Sequence, residues 1–450
     1  MKRLVALLIL ACGFGLVACG GSDISFDDEA LRADAIMVSD ALLSGNYASV
    51  TEKFDKTMSN ALDAKALEEG WLATVAMLGD YEKRGEIVSE AVQGYYAIII
   101  TEEFSLQNLN VRVVYDKEGK IAGLQMTFAQ KDTDYTATES EWYIEKEIIL
   151  AADESMPLSG FLTLPKHVEK PPVVILVHGS GTSDRNESIY ENTPFQDIAH
   201  ALAEKRIATL RYDKRHFVYP EQATQLGANL TLREEVLDDV RAAVEFLREN
   251  EDVDAERIFV LGHSLGGMLT PAIAYENEGL AGVISMAGSL RPLYEIVYDQ
   301  NQEVIATYQD VELSKEMRET LNGQIAQIES DIVILRGDYS ALKNEDVLLG
   351  ISAGYWKSLR EYEGMNFINE LSLPMLILQG SADFQVYADR DYILWQQTLR
   401  NRENVHFALF EGLNHLMMPT QGKRDVSEYA TKSTVSNDVI IAIADFIYRY

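Results

Sequence analysis

Cysteine is almost missing from this 450-residue chain, which has only Cys12 and Cys19. Both lie at the amino end, so the body of the protein has no cysteine pair for a disulfide, and its stability has to come from a buried core. Long apolar runs are absent beyond the first twenty residues, and no later segment reaches the length of a spanning helix. Basic residues are scarce too: 39 Lys and Arg stand against 71 Asp and Glu, a formal net charge of −32. That balance argues against nucleic acid as a partner, because phosphate binding needs a basic surface. It also excludes attraction of the body to anionic headgroups, which would repel it. Histidine occurs seven times, few enough for each to be weighed by its neighbours.

What the chain does have begins at its first residue. Met1-Lys2-Arg3 precedes the apolar stretch Leu4 to Phe14, and Leu16-Val17-Ala18-Cys19-Gly20 follows. A short charged start, an apolar core of secretory length and small residues at the cut describe a signal peptide over residues 1–19. Its end resembles a bacterial lipobox, so Cys19 would become the lipidated first residue of an exported, envelope-anchored chain. Membrane attachment would then run through Cys19 alone, with Gly20 to Asp27 as a polar tether. Ordinary cleavage after a small residue is the alternative.

The apolar run Arg257 to Leu261 leads directly into Gly262-His263-Ser264-Leu265-Gly266-Gly267. A GxSxG turn between a strand and a helix exposes its serine above a sheet, where an acyl-transfer nucleophile has to sit. Serine needs a base to take its proton, and the base needs a carboxylate to fix its tautomer, so Ser264 calls for an acid and then a histidine downstream. Leu373 to Gln379 is a buried-strand pattern closed by Gly380-Ser381-Ala382-Asp383, and Val405 to Phe410 is another, closed by Glu411-Gly412-Leu413-Asn414-His415. Of the other histidines, His167 and His200 have polar or helical surroundings, His216 follows a basic pair and His406 sits inside a strand. His178 and His263 are each beside glycine in a turn. His415 is left as the base and Asp383 as its carboxylate.

The negative charge that develops on a reacting carbonyl oxygen needs amide donors. The Leu265 amide follows the nucleophile. The second donor comes from His178-Gly179-Ser180-Gly181 after the run Pro172 to Val177, with the Ser180 amide first and Gly181 next. Taken alone, HGSG is also an ordinary turn.

At this point the residues resemble the α/β-hydrolase superfamily. The likeness rests on VVILVHGSG, VLGHSLGG, LILQGSADFQV and LFEGLNH, in that order from Val173 to His415. The run HGSGTSDRNES, followed by ALAEKRIATLRYDKR from Ala201 to Arg215, is similar to dienelactone-hydrolase-like bacterial esterases and acyl-peptidase-like members. The resemblance implies hydrolysis of a small-molecule carboxylic ester through an acyl-enzyme, with Ser264, His415 and Asp383 as the triad and no metal or organic cofactor. Asp184, Arg185, Lys214 and Arg215 fall where such esterases carry a charged cluster near the mouth of the site. A solvated or mutually paired structural role is the other reading of those four.

The expected fold is α/β, a doubly wound and mostly parallel sheet with a helical cap insertion, preceded by a small α+β domain. In that domain, residues 28–129, Asp28 to Leu43, Tyr47 to Leu62 and Ala64 to Leu78 have helical periodicity. Gly85 to Val92, Gly94 to Phe104, Leu109 to Tyr115 and Ile121 to Phe128 have strand character. The pattern resembles the cystatin-like or nuclear-transport-factor-like domain in front of such hydrolases, and a spacer or binding role fits it. Lys131 to Glu139 is a polar linker, and residues 140–450 form the catalytic domain.

There, strands are expected near Trp142 to Leu150, Leu158 to Leu164, Pro172 to Val177, Ile207 to Tyr212, Arg257 to Leu261, Gly282 to Met286, Leu373 to Gln379 and Val405 to Phe410. Helices are expected over Phe195 to Lys205, Leu232 to Asn250, Met268 to Glu276 and Asp389 to Thr398. Residues of about 290–372 exceed any bare connection between strands, and Tyr294 to Tyr308, Ser314 to Ile332 and Tyr355 to Asn369 look helical, so the segment is an inserted cap. Its aromatics Tyr294, Tyr298, Tyr308, Tyr355, Trp356 and Phe367 would either roof a pocket or pack a core. A peptidase or acyltransferase would use the same triad, and a catalytically silent binding lipoprotein is the competing class.

Overall fold

Apolar residues three and four apart turn one face of Asp28–Leu43 inward, and this stretch is a helix in the computed structural model, which describes residues 26–75, 78–92, 94–105, 108–129, 135–308 and 315–450. Ala35, Val38 and Leu42 on that face are buried, and the Asp27 side chain caps the first turn by accepting from the Ala30 amide at 3.1 Å. The leader and Cys19 lie outside the described residues.

The described chain divides into two compact units, with the boundary between Tyr135 and Thr136. The first carries strands β1 (Tyr81–Val92), β2 (Tyr95–Phe104), β3 (Asn108–Tyr115) and β4 (Ile121–Ala129), paired antiparallel in that order. One core joins this sheet to its helices, with Ile98, Ile100, Val111, Val113, Val38 and Trp71 among its members. The helix expected over Tyr47 to Leu62 is two short ones, Tyr47–Thr51 and Lys56–Ala61. Between them Phe54 forms an isolated bridge to Ile121, Asp55 is extended and donates its amide to the Ile121 carbonyl at 2.9 Å, and its carboxylate caps Met58 at 2.7 Å. Pairing with β4 thus overrides the helical period.

The second unit is built on an eight-stranded sheet. Its strands are β5 (Tyr143–Leu150), β6 (Leu158–Pro165), β7 (Val173–Val177), β8 (Ala208–Tyr212), β9 (Ile258–His263) and β10 (Gly282–Met286), then, after a small hairpin of β11 (Val347–Leu348) and β12 (Ile351–Ser352), β13 (Met375–Gly380) and β14 (Val405–Phe410). The order is β14-β13-β10-β9-β7-β8-β6-β5. The six from β14 to β8 are parallel, while at one edge β6 pairs antiparallel with β8 and β5 antiparallel with β6. Every residue of β7, β8, β9, β10 and β13 is buried, as expected of strands covered by helices on both faces. Thr138, assigned to the linker by sequence, belongs to this unit, since its amide and hydroxyl donate to Glu145 at 2.9 and 2.8 Å.

Several helices differ from expectation. Leu232 to Asn250 begins as a π-helical turn, Arg233–Leu237, before the α-helix Asp238–Arg248, and Asp389 to Thr398 likewise divides into Ala388–Tyr392 and Ile393–Leu399. Short helices Arg215–Val218 and Pro220–Leu226 and a carboxyl-terminal helix, Asn437–Arg449, were not anticipated. In the insertion, Leu293–Thr307 and Lys315–Arg336 are helical. The third insertion helix is shorter than expected, Ala353–Glu361, with a 3-10 turn at Gly364–Asn366 after it. Ser352 caps it, accepting from Tyr355 at 3.3 Å. Among the described residues no helix is long and apolar enough to cross a membrane.

Candidate active site

β9 ends at His263, and the next residue, Ser264, takes φ 53° and ψ −114°, a conformation that costs a side-chain-bearing residue energy and persists only where the surroundings impose it. Those surroundings are specific. The Ser264 amide donates to the Met286 carbonyl at the end of β10 (2.9 Å), and the Gly266 amide donates to the His178 carbonyl (3.1 Å). The turn is so tight that a Cβ on Gly262 would lie 2.1 Å from the Gly266 carbonyl oxygen, and one on Gly266 would lie 2.4 Å from that of Val177. Both positions therefore need glycine. Ser264 is left half-buried at the start of the helix Leu265–Glu276.

Asp383 follows β13 and His415 follows β14, and the structure brings these two together. His415 Nδ1 donates to Asp383 Oδ2 at 2.8 Å, with both side chains almost fully buried. The carboxylate is fixed independently, accepting from the Gln379 side chain (2.9 Å) and from the amides of Gln385 (2.8 Å) and Val386 (3.0 Å). The loop carrying His415 is fixed as well, because Asn414 Oδ1 accepts from the amides of Leu416 and Met418 at 3.0 and 3.2 Å. With Nδ1 donating, Nε2 is the accepting nitrogen of the neutral ring.

His263, the residue before Ser264, ties the elbow to this loop. Its ring centroid is 4.7 Å from that of His415, and its Nε2 donates to the His415 carbonyl oxygen at 3.0 Å. On its other side Nδ1 lies 2.9 Å from Glu187 Oε2. Burial disfavours a charge on His263, but the Glu187 carboxylate outweighs it and holds the imidazole above its ordinary value. Burial likewise pushes Glu187 up, and His263, His178 and the Gly179 amide more than offset this, keeping it below the usual carboxylate range. Both directions describe a buried ion pair. By sequence His263 is a turn residue and Glu187 carries no signal, although they stand inside GHSLGG and HGSGTSDRNES.

The HGSG turn lies against the elbow, so close that a Cβ on Gly179 would be 3.1 Å from the Ser264 Cβ. Its Gly179 amide donates to Glu187 Oε1 at 2.7 Å. Ser180 is exposed, Leu265 is buried, and among the described residues no hydrogen bond engages the amide of either. Neither amide is thus spent on a protein acceptor among them.

The four charges expected near the mouth are instead buried framework. Arg185 pairs with Asp213 (2.6 Å), Lys214 with Glu235 (2.6 Å) and Arg215 with Asp239, while Asp184 accepts from the amides of Asn186 and Ser188, both at 2.9 Å. Asp184 and Arg185 lie on the loop after β7 and Lys214 and Arg215 just after β8, and the three cations reach acidic partners on other segments of the chain.

The insertion packs on the elbow helix. A small cleft there is lined by Leu265, Met268 and Leu269 from the helix and by Leu359, Tyr362 and Glu363 from the insertion. None of the six aromatics named from sequence lines this cleft, whereas Tyr362 does. Tyr355 and Trp356 are core residues, with Trp356 Nε1 donating to the Leu348 carbonyl at 2.8 Å. Among the described residues no group of three or more His, Cys, Asp or Glu is arranged to hold a metal ion.

The chain can be compared with known proteins on this basis. Esterase EstD of Thermotoga maritima is 34% identical over 425 residues, covering 93% of this chain and 96% of EstD. Among solved structures, Est1E from Butyrivibrio proteoclasticus is similar at 17% identity with a TM-score of 0.41, covering 67% of this chain and 98% of Est1E. The Pyrococcus furiosus esterase Pf2001 is similar at 13% identity with a TM-score of 0.43, covering 72% and 99%. Residues 35–124 match a family described as a protein of unknown function, DUF3887. Residues 169–420, more than half the chain and the part that carries the elbow, the Asp383–His415 pair and the HGSG turn, match the model of the serine aminopeptidase, S33, hydrolases. Sheet order, elbow and sequence agree, and the chain belongs to that family of α/β-hydrolases.

Proposed function

We propose that the protein is a serine carboxylesterase acting through an acyl-enzyme, with Ser264 as nucleophile, His415 as base and Asp383 as the carboxylate that holds its tautomer. The observation that carries this reading is the buried 2.8 Å bond from His415 Nδ1 to Asp383 at the same strand ends as the strained Ser264 elbow. Near-full-length similarity to an esterase supports the ester as substrate class. In the first half-reaction His415 Nε2 takes the Ser264 proton as Oγ attacks the ester carbonyl, and the amides of Ser180 and Leu265 receive the oxyanion. Collapse expels the alcohol with the proton from His415. Water, activated by the same imidazole, then releases the acid and restores the serine.

Ser264→Ala is expected to lower kcat on short aryl esters by about 10³-fold or more and to abolish labelling by a fluorophosphonate. Retained turnover and labelling in that variant would remove Ser264 from the mechanism. A wild-type protein that folds, takes no label and turns over no ester across varied chain lengths would instead point to a binding lipoprotein. The family description favours one second reading, cleavage of an amino-terminal peptide bond by the same triad. Aminoacyl anilides in the same panel separate it from ester hydrolysis.

The reading includes export and anchoring at the cell envelope through Cys19, supported by the charged start, apolar core and terminal small residues of the leader. Cys19→Ser is expected to abolish incorporation of labelled fatty acid and to release the protein from membranes. Unchanged incorporation would sink the assignment.

A further inference from the structure

Lys214 is a buried ammonium with all three of its protons placed. Nζ donates to the carbonyl of Gly179 at 2.8 Å, to the carbonyl of Gly181 at 2.8 Å and to Glu235 Oε1 at 2.6 Å. The two carbonyls flank Ser180. In a trans peptide unit the C=O and the following N–H point in opposite directions, so drawing the Gly179 oxygen onto Lys214 turns the Ser180 amide the other way. The Gly179 amide is pinned separately by Glu187, and the His178 carbonyl by the Gly266 amide of the elbow. The direction of the Ser180 N–H is therefore set from the side of Lys214.

Glu235 carries this further. It sits in the π-helical turn Arg233–Leu237, and its second oxygen accepts the hydroxyl of Tyr355, a buried residue of the insertion. The π-helix is rare and occurs mostly as single turns within α-helices, frequently at functional sites. A continuous buried chain thus runs from the insertion through a carboxylate and an ammonium to the turn beside the nucleophile. Burial pushes the Glu235 carboxyl up, but Lys214 and Tyr355 together keep it below the usual carboxylate range, so the chain carries its charges.

We propose that Tyr355, through Glu235 and Lys214, is a positioning residue that aims the Ser180 amide at the developing oxyanion, so that the insertion tunes the rate of the chemical step as well as covering the elbow helix. This rests on the hydrolase reading above. Tyr355 and Lys214 are both buried and act through the turn. Loss of an aimed amide weakens binding of the tetrahedral state more than that of the planar ester, so the effect falls on kcat and leaves KM alone.

The test uses the full-length protein, an aryl ester and a boronic acid that forms a tetrahedral adduct with the serine. Tyr355→Phe keeps the ring and removes the hydroxyl. It is expected to lower kcat about 10-fold, to leave KM within about twofold and to weaken boronate binding in proportion to kcat/KM. Lys214→Met is expected to do the same more strongly, about 100-fold, and in that background Tyr355→Phe should have no further effect, because the chain is already cut. If Lys214→Met does not fold, the paired change Lys214→Met with Glu235→Gln removes both buried charges and serves as the background. The proposal is overturned by a Tyr355→Phe enzyme with wild-type kcat and boronate affinity, or by full additivity in the Lys214 background. A wild type without turnover or serine labelling fails the hydrolase reading itself and takes this proposal with it; wild-type turnover with an indifferent Tyr355→Phe fails the positioning role alone.

Discussion

At the scale of single residues, the second unit is held by buried charges with specific counter-charges. Arg211 and Glu145, both with fully buried side chains, pair at 2.7 Å, and Glu145 also accepts from His200 Nε2 (2.9 Å) and from Thr138. Burial pushes the Glu145 carboxyl up, but His200, Arg211 and the Thr138 amide outweigh it and hold it well below the usual carboxylate range. A carboxyl depressed in the folded state stabilises at pH above its unfolded value of 4.5 and loses that contribution as pH falls below it. Glu145→Gln leaves Arg211 buried without its counter-charge, and such a break costs about 3 to 5 kcal/mol. Urea unfolding should show that gap at pH 7 and show it narrowing as pH falls below 4.5; a gap of constant size from pH 7 to the acid limb would refute the assignment.

The same scale explains which site residues sequence could reach. Ser264, Asp383 and His415 each stand in a short loop after an apolar run, a local pattern that also fixes their order. The pairs Glu187–His263 and Lys214–Glu235 have no such spacing. Glu187 and His263 meet because the HGSG turn folds back on the elbow, and charges that pair only in three dimensions leave no period in the chain.

At the scale of elements, the buried strands were the most legible parts. β10 occupies its expected span and β7 and β8 start one residue inside theirs, because an apolar run bounded by turn residues satisfies only one arrangement in a covered parallel sheet. Helices were less faithful where another element competes for them. The stretch Tyr47 to Leu62 breaks where Phe54 and Asp55 pair with Ile121, and the third insertion helix stops at Glu361. The carboxyl-terminal helix was missed although Val439, Ile440, Ile443, Phe446 and Ile447 carry a clear three-and-four spacing and all are buried. The aromatics of the insertion had two readings of equal periodicity, pocket wall or core. Tyr355 and Trp356 resolve to core, since only contact with the layer beneath decides which face a helix turns inward.

At the scale of the whole molecule, two units with separate cores share one acidic chain. Residues 136–450 contain the sheet, the insertion and every group named in the site, so this segment expressed alone should unfold in one cooperative step and hydrolyse esters within about twofold of the full protein. Loss of cooperative unfolding in the segment would show that residues 26–135 are needed for the fold. Class of fold, the glycine-flanked turn at Ser264 and the acidic character of the body were all readable along the chain, because apolar periods, turn residues and composition are local quantities. Which carboxylate meets which cation, and which face of the insertion lies inward, emerged only when the layers closed. Coulomb pairing and burial depend on distance through space, and residues hundreds of positions apart, such as Asn192 and the Tyr429 carbonyl at 2.6 Å, become neighbours by folding alone.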